Sequence, residues 1–152
     1  MARPLPDGDG PDRPRPARRA RALEISPESD DAHYALAILD LLEGRPEAAL
    51  ADASSVGKPD GLAAVALAHH ELGHEQESRR ALDELVGRHA HNSAESIADA
   101  YAWLGDRDRA FEWLDRALAD ELWGVKFDPL LRKLHGDPRW NALLRKMNLP
   151  PD

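Results

Sequence analysis

The sequence contains no cysteine, which excludes disulfide bonds, thiol catalysis and cysteine-ligated zinc. It has no run of about 20 apolar residues of the kind that crosses a bilayer, and residues 1–10 contain no apolar signal-peptide core. It also lacks a glycine-rich phosphate loop and any hydrolase-like spacing of serine, histidine and aspartate. We therefore expect a cytoplasmic protein with no membrane partner and no cofactor.

The 152 residues contain enough apolar material for one compact module, since 42% are hydrophobic and 32% are charged. The net charge of −8 is unevenly distributed. Residues 1–21 hold six basic and three acidic side chains, and residues 125–152 hold the same numbers, which leaves −14 on the region between them. An acidic body of this kind repels phosphate backbones, so we expect no nucleic-acid partner and favour basic or amphipathic ones.

The prolines separate an arm from the folded part of the chain. Five of the 12 prolines fall in residues 1–16, where little apolar material can be buried, so this segment is predicted to be a disordered Pro/Arg-rich arm. Pro46, Pro129 and Pro138 instead precede runs with apolar periodicity, and we expect them at helix starts.

From Asp31 onward, apolar residues recur at spacings of three and four, and alanine and leucine dominate. This pattern predicts an all-α fold. Breaks in the pattern define helices over 31–43, 46–56, 60–72, 75–87, 93–104, 107–119, 129–135 and 138–147. The short connections between them favour antiparallel neighbours.

Gly44, Gly73 and Gly105 reveal a longer repeat when the segments are aligned on them. An alanine lies seven residues before each glycine, and a small residue lies five residues after it. The alanines are Ala37, Ala66 and Ala98, and the small residues are Ala49, Ser78 and Ala110. Small side chains at these positions would let the two helices of a hairpin approach closely.

The aligned pattern resembles the tetratricopeptide repeat (TPR) family. The best-matching copy consists of Ile97, Ala98, Tyr101, Gly105, Ala110, Leu114 and Ala117. The resemblance implies a right-handed superhelical solenoid of helical hairpins over 17–124, with a partial repeat at 17–29 and repeats at about 30–58, 59–90 and 91–122. The chain is therefore expected to begin inside a repeat. The glycine spacings of 29 and 32 residues are shorter than the family's 34.

Residues 125–152 are predicted to form capping helices and a tail, entered through Phe127-Asp128-Pro129. The spacing of four apolar residues places them on one helical face, which would cover the apolar side of the last hairpin: Trp140, Leu143, Leu144 and Met147. This tail is similar to the one that follows such repeats in bacterial multidomain signalling proteins. One alternative function is therefore an oligomerising or regulatory segment of a larger signalling protein, and the oligomeric state stays open.

In the family that this chain resembles, the first helix of each repeat lines a concave groove. Matching positions give a candidate partner-binding groove of Tyr34, Ile38, Leu41, Leu67, His70, Glu95 and Asp99, with Trp103 as a possible aromatic anchor. One end of this stripe is apolar and the other is acidic, which suits an amphipathic or basic peptide or helix. We therefore expect a non-enzymatic protein-binding scaffold. An alternative is that Tyr34, Ile38 and Leu41 pack under a helix of residues 18–26.

The segment His70-Glu71-Leu72-Gly73-His74 fits the HExxH pattern of zinc proteases. A zinc-dependent hydrolase is therefore the other alternative function. Its two histidines share a helical face only if the helix runs through Gly73, whereas the repeat pattern ends the helix at that glycine. We therefore expect no metal site and no catalytic residue, and place both histidines at a solvated edge of the repeat.

Overall fold

A computed structural model of the chain describes residues 29–57, 59–120 and 124–152. The predicted arm at 1–16, the partial repeat at 17–29 apart from Ser29, and the helix expected over 18–26 lie outside these residues. The described residues form helices and turns with no strand, so the all-α prediction is confirmed. None of the helices among them is both long enough and apolar enough to span a bilayer.

Seven α-helices follow one another within the described ranges. They are α1 Asp30–Leu42, α2 Pro46–Ala53, α3 Pro59–Glu71, α4 Glu75–His89, α5 Ala94–Leu104, α6 Arg107–Ala117 and α7 Pro138–Lys146. Three short 3₁₀ helices lie between α6 and α7, at Leu118–Asp120, Val125–Phe127 and Pro129–Leu134. Every end of the seven α-helices falls within about three residues of its predicted position, which is the ordinary uncertainty of a helix boundary.

The helix predicted over 129–135 is a 3₁₀ helix. The amides of Leu131 and His135 donate to the carbonyl groups of Asp128 and Arg132, three residues earlier, each at 3.3 Å. Pro129 and the glycine at 136 leave too few residues to propagate an α-helix. The tighter winding places residues three apart on one side, and Leu131 and Leu134 are both fully buried there.

The three turn glycines end their helices in the same way. Gly44, Gly73 and Gly105 have φ angles of 72°, 75° and 87°, in the left-handed region that glycine adopts without steric cost. In each turn the amide after the glycine donates to a carbonyl group five residues earlier, at 2.8, 2.8 and 2.9 Å. This hydrogen bond defines a Schellman motif. The turns predicted at the three glycines are therefore confirmed.

The helices pack as three successive hairpins, α1 on α2, α3 on α4 and α5 on α6. In addition, α1, α3 and α5 contact one another in chain order, and the 3₁₀ helix Pro129–Leu134 continues this row on α5. All six of the aligned small residues are buried. Between α3 and α4, Ser78 Oγ donates to the carbonyl oxygen of Ala66 at 2.7 Å. The spacing from the turn glycines therefore identifies residues at which paired helices are in contact.

The C-terminal residues complete the same core. Trp140 and Leu144 of α7 are fully buried in a cluster that also contains side chains of α5 and α6. The indole Nε1 of Trp140 donates to Asp152 Oδ2 at 2.6 Å, which holds the chain end against α7. On the surface, Arg139 Nη1 donates to Asp108 Oδ1 at 2.7 Å and links α7 to α6.

Candidate functional site

An apolar groove separates α1 from the segment that precedes the last 3₁₀ helix. Its volume is about 480 Å³. Tyr34, Ile38 and Leu42 of α1 form one wall, and residues 124–130 form the other. Two of the lining side chains are largely uncovered, since Leu42 is 47% exposed and Phe127 is 89% exposed. The groove therefore offers apolar surface on both sides that the described part of the chain does not bury.

Four carboxyl groups lie near enough to Tyr34 of this groove to act on its hydroxyl group, and one of them, Asp128, lines the groove itself. Asp60 is at the start of α3, Glu95 and Asp99 lie one turn apart on α5, and Asp128 lines the groove wall. They are close enough to act on one another and on Tyr34 of α1. Burial raises the pKa of the Tyr34 hydroxyl, and the negative charges of these carboxyl groups raise it further. We call the four carboxyl groups the acidic cluster.

Asp99 and Asp128 form the centre of the acidic cluster, because their carboxyl groups lie within hydrogen-bonding range of each other. Burial raises the pKa of Asp99 well above its ordinary value, and the neighbouring charge of Asp128 adds to the increase. Burial also raises the pKa of Asp128. Two carboxyl groups within hydrogen-bonding range of each other share a proton more readily than they carry two negative charges.

The local fold fixes the position of each acidic side chain. Asp128 caps the 3₁₀ helix Pro129–Leu134, since its Oδ1 accepts a hydrogen bond from the amide of Leu130 at 2.8 Å. Asp60 accepts a hydrogen bond from Ser96 Oγ, which ties α3 to α5 beside the groove. Asp99 lies on the buried side of α5 with 6% of its surface exposed, and its Oδ1 has no hydrogen-bond partner.

No arginine or lysine among residues 29–57, 59–120 and 124–152 forms an ion pair with the acidic cluster. Lys126 lies two residues before Asp128, but its Nζ instead donates to the carbonyl oxygen of Pro150 at 2.9 Å and pairs with Asp152 at 3.0 Å. The negative charge of the acidic cluster is therefore not compensated by basic side chains in these parts of the chain. Chemically, it can hold a shared proton or accept hydrogen bonds from a cationic group.

Four of the eight predicted groove residues lie at this site. Tyr34 and Ile38 line the groove, and Glu95 and Asp99 belong to the acidic cluster. The structure therefore places an apolar region next to an acidic one, as the sequence pattern suggests.

Leu41 and Leu67 do not line an accessible surface. Leu41 is 4% exposed and Leu67 is fully buried, and both belong to the central hydrophobic core. The reason is that α3 lies between α1 and α5 and contacts both, so the face assigned to a groove on α3 is a helix contact. The prediction that these two leucines lie on an exposed groove is therefore wrong.

His70 and Trp103 lie away from the groove. His70 lines a separate, more polar depression of about 560 Å³ together with Arg79 and Arg109. The indole Nε1 of Trp103 donates to Glu71 Oε1 at 2.8 Å, and Lys133 Nζ lies 5.4 Å from the centre of its ring. Trp103 is thus held by neighbouring helices and does not anchor a ligand in the groove.

Three groups at the site have no binding role in the sequence analysis: Asp60, the exposed Leu42, and the pair Phe127 and Asp128. Phe127 and Asp128 are predicted only to lie at the entry to the capping helices. An aspartate directly before a proline does indicate a helix cap, and Asp128 is one. No local pattern, however, indicates that residue 128 lies opposite α1.

The HExxH segment does not form one helix. α3 ends at Glu71, Gly73 has a φ of 75°, and His74 precedes the start of α4. His74 therefore lies beside His69, with their Nδ1 atoms 3.3 Å apart, rather than one turn along from His70. Within the described residues, no three histidine, aspartate or glutamate side chains are grouped so that they could hold a metal ion.

Comparison with protein-family models, with curated proteins and with solved structures gives no match for this chain. The similarity to TPR proteins is therefore a matter of the sequence pattern and stays a prediction. Function has to be inferred from the groove and the acidic cluster.

Proposed function

We propose that the chain is a non-enzymatic scaffold of TPR-like helical hairpins, and that its groove binds a short peptide or helix of a partner protein. One observation carries this proposal. In the part of the chain that the structure describes, two large hydrophobic side chains are exposed, Leu42 and Phe127, and both line the same groove. Single exposed apolar residues are common on protein surfaces, but two that face one cavity favour an interaction site.

The dimensions of the groove support a short ligand segment. A volume of about 480 Å³ lies within the range of roughly 300 to 1,000 Å³ that is typical of ligand sites. Such a space takes a few apolar side chains of a peptide. Phe127 on one wall and Leu42 on the other would then contact the same segment from opposite sides, and aromatic side chains commonly dominate the energetics of such contacts.

Peptide selection followed by affinity measurement tests this function. Random 12-residue peptides displayed on phage are selected against the full chain, and enriched sequences are synthesised with a fluorescent label. Their affinity is then measured by fluorescence anisotropy for the wild type and for the double variant Leu42→Ser, Phe127→Ser. We expect affinity to fall about tenfold or more, because residues at the centre of an interface contribute more than about 1 kcal/mol each.

Arg80→Ser provides the matched control, since Arg80 is an exposed residue of α4 outside the groove. This variant should bind the selected peptides as tightly as the wild type. Peptides that bind the double variant and the wild type equally well would show that the groove is not the interface. Failure to enrich any peptide over the starting library would remove the support for peptide binding altogether.

A further inference from the structure

We propose that the acidic cluster is a subsite for the guanidinium group of a single arginine in the partner peptide. This inference rests on the proposed function and specifies the ligand further. The apolar part of the peptide would contact Leu42 and Phe127, and its arginine would reach the carboxyl groups of Asp99 and Asp128.

The unpaired oxygen of Asp99 is the first reason. Asp99 is buried to all but 6% of its surface, and its Oδ1 accepts no hydrogen bond. Buried carboxylate oxygens are normally satisfied, because an unmet acceptor leaves the cost of desolvation uncompensated. The carboxyl group of Asp99 faces that of Asp128, which lines the groove, so a donor arriving through the groove could supply the missing bond.

The charge distribution is the second reason. The four carboxyl groups of the acidic cluster act on one another electrostatically, and no described arginine or lysine pairs with them. Lys126, two residues before Asp128, is already engaged by Pro150 and Asp152. A ligand with a positive charge would therefore relieve repulsion that the basic side chains of residues 29–57, 59–120 and 124–152 do not relieve.

Arginine fits this arrangement better than lysine. A guanidinium group is planar, always charged, and presents five N–H donors that match carboxylates in pairs. It is also more weakly hydrated than an ammonium group, so it loses less on entering a partly buried site. Since Asp128 Oδ1 already accepts from the amide of Leu130, the oxygens left for a ligand come from both carboxyl groups. A forked donor can contact both of them at once.

The test uses a small probe that needs no selected peptide. Hexylguanidinium carries an alkyl chain for the groove and one guanidinium group, and hexylurea is its neutral counterpart. Binding of each compound to the full chain is measured by ¹H–¹⁵N NMR titration. We expect hexylguanidinium to bind about tenfold or more tightly than hexylurea, the ratio expected for a charge-assisted hydrogen bond.

Substitutions then locate the charge. Asp99→Asn and Asp128→Asn should each reduce the affinity for hexylguanidinium about tenfold or more and leave that for hexylurea unchanged. Asp83→Asn is the matched control, since Asp83 is an exposed aspartate of α4 outside the cluster, and it should change neither affinity. Hexylammonium should bind more weakly than hexylguanidinium. Equal binding of the two cations would overturn the assignment to arginine.

The outcomes separate this inference from the proposed function. Equal binding of hexylguanidinium and hexylurea, both lost in Leu42→Ser, Phe127→Ser, would leave the groove as a binding site and refute the cationic subsite. Binding that depends on Asp128 while no peptide is enriched would support the subsite and remove the peptide function. Competition by millimolar Ca²⁺ that disappears in Asp99→Asn would assign the cluster to a metal ion and overturn the proposal.

Two further measurements exclude other occupants. Light scattering at several protein concentrations should show the same molecular mass with and without hexylguanidinium. A dimer that dissociates when hexylguanidinium is added would show that a second copy of the chain occupies the groove. The variant in which Arg13, Arg15, Arg18, Arg19 and Arg21 are replaced by glutamine should bind hexylguanidinium as the wild type does. A probe that binds only this variant would assign the subsite to the chain's own arginines and overturn a partner arginine.

Discussion

Gly61 lies in the first turn of α3, against Val56 in the connection that follows α2, and Gly61→Ala tests that contact. A Cβ atom at this position would lie 2.5 Å from the carbonyl oxygen of Val56 and 2.9 Å from its Cβ. Both distances are shorter than van der Waals contact, and a backbone oxygen cannot rotate away as the end of a side chain can. The substitution therefore requires Val56 and the first turn of α3 to move apart.

The expected magnitude follows from two opposing contributions. Overpacking of a tight contact costs about 1 to 3 kcal/mol. Alanine gains at most about 1 kcal/mol over glycine in a helix. We expect Gly61→Ala to lower the free energy of unfolding by about 1 to 2 kcal/mol, from the difference between these contributions.

Gly87→Ala is the matched control, because Gly87 lies within α4 and a Cβ atom there would meet nothing within 4 Å. It should raise the free energy of unfolding by about 0.5 to 1 kcal/mol through helix propensity alone. Urea unfolding followed by far-UV circular dichroism measures the stability of both variants. The m-value, the slope of the free energy of unfolding against urea concentration, should stay the same, so that a shift of the midpoint reports a change in stability. A Gly61→Ala variant as stable as Gly87→Ala would refute the close approach of Val56 to α3.

Three further predictions concern single side chains. Gly73→Ala should lower the free energy of unfolding by about 1 to 2 kcal/mol, because an L-residue adopts the left-handed conformation at this cost. In the same urea assay, Gly73→Asn should lower the free energy of unfolding by less. Ser78→Ala should lower the free energy of unfolding by about 1 kcal/mol, because it removes the hydroxyl group that donates to the carbonyl oxygen of Ala66 at 2.7 Å. A change below about 0.3 kcal/mol would contradict the stabilising role of that hydrogen bond. Asp99→Asn should raise stability at neutral pH by about 1 to 3 kcal/mol, by removing a carboxyl group whose ionisation is opposed by burial and by the charge of Asp128, and this gain should shrink on acidification. A gain that is constant with pH would contradict a shared proton.

The pH dependence of that last gain has a definite sign. Because the pKa of Asp99 is raised in the folded state, the folded chain holds more protons than the unfolded chain between the two pKa values. The stabilisation from this group is therefore fully present below the unfolded pKa and is lost as the pH rises through the folded pKa. The lowered pKa of Asp137, about 2, acts in the opposite sense and only at more acidic pH. The difference between the wild type and Asp99→Asn isolates the contribution of Asp99, which includes its coupling to Asp128, Glu95 and Asp60.

The helices could be predicted from the sequence because their limits are set locally. Gly44, Gly73 and Gly105 adopt the left-handed conformation that ends a helix, and Pro46 and Pro138 lie in the first turn of the helices that follow. Each signal acts through the backbone of its own few residues. The exception is the segment at 129–135, because local periodicity does not distinguish a short α-helix from a 3₁₀ helix of buried leucines.

The groove was only partly predictable because its two walls are far apart in sequence. Tyr34 and Ile38 follow from the periodicity of one helix, but the opposite wall at residues 124–130 is brought there by the packing of α3, α5 and the last 3₁₀ helix. The same packing buries Leu67, although its spacing matches that of a surface stripe. Periodicity shows that a helix has an apolar face, and the neighbouring helices decide which part of that face stays exposed.

The acidic cluster is a place, within the described residues, where the fold works against its own stability. Asn at position 99 would fill nearly the same space as Asp and could donate a hydrogen bond to Asp128, so a more stable residue differs from the present one by a single functional group. Sites that reduce stability in this way are typical of binding and catalytic centres, where the cost is offset when a ligand arrives. If Asp99 has a purely structural role, Asp99→Asn should lower the stability of the chain. If Asp99 binds a ligand, Asp99→Asn should raise the stability and reduce the affinity for hexylguanidinium. Measured together on one variant, unfolding and binding therefore distinguish the two roles of Asp99.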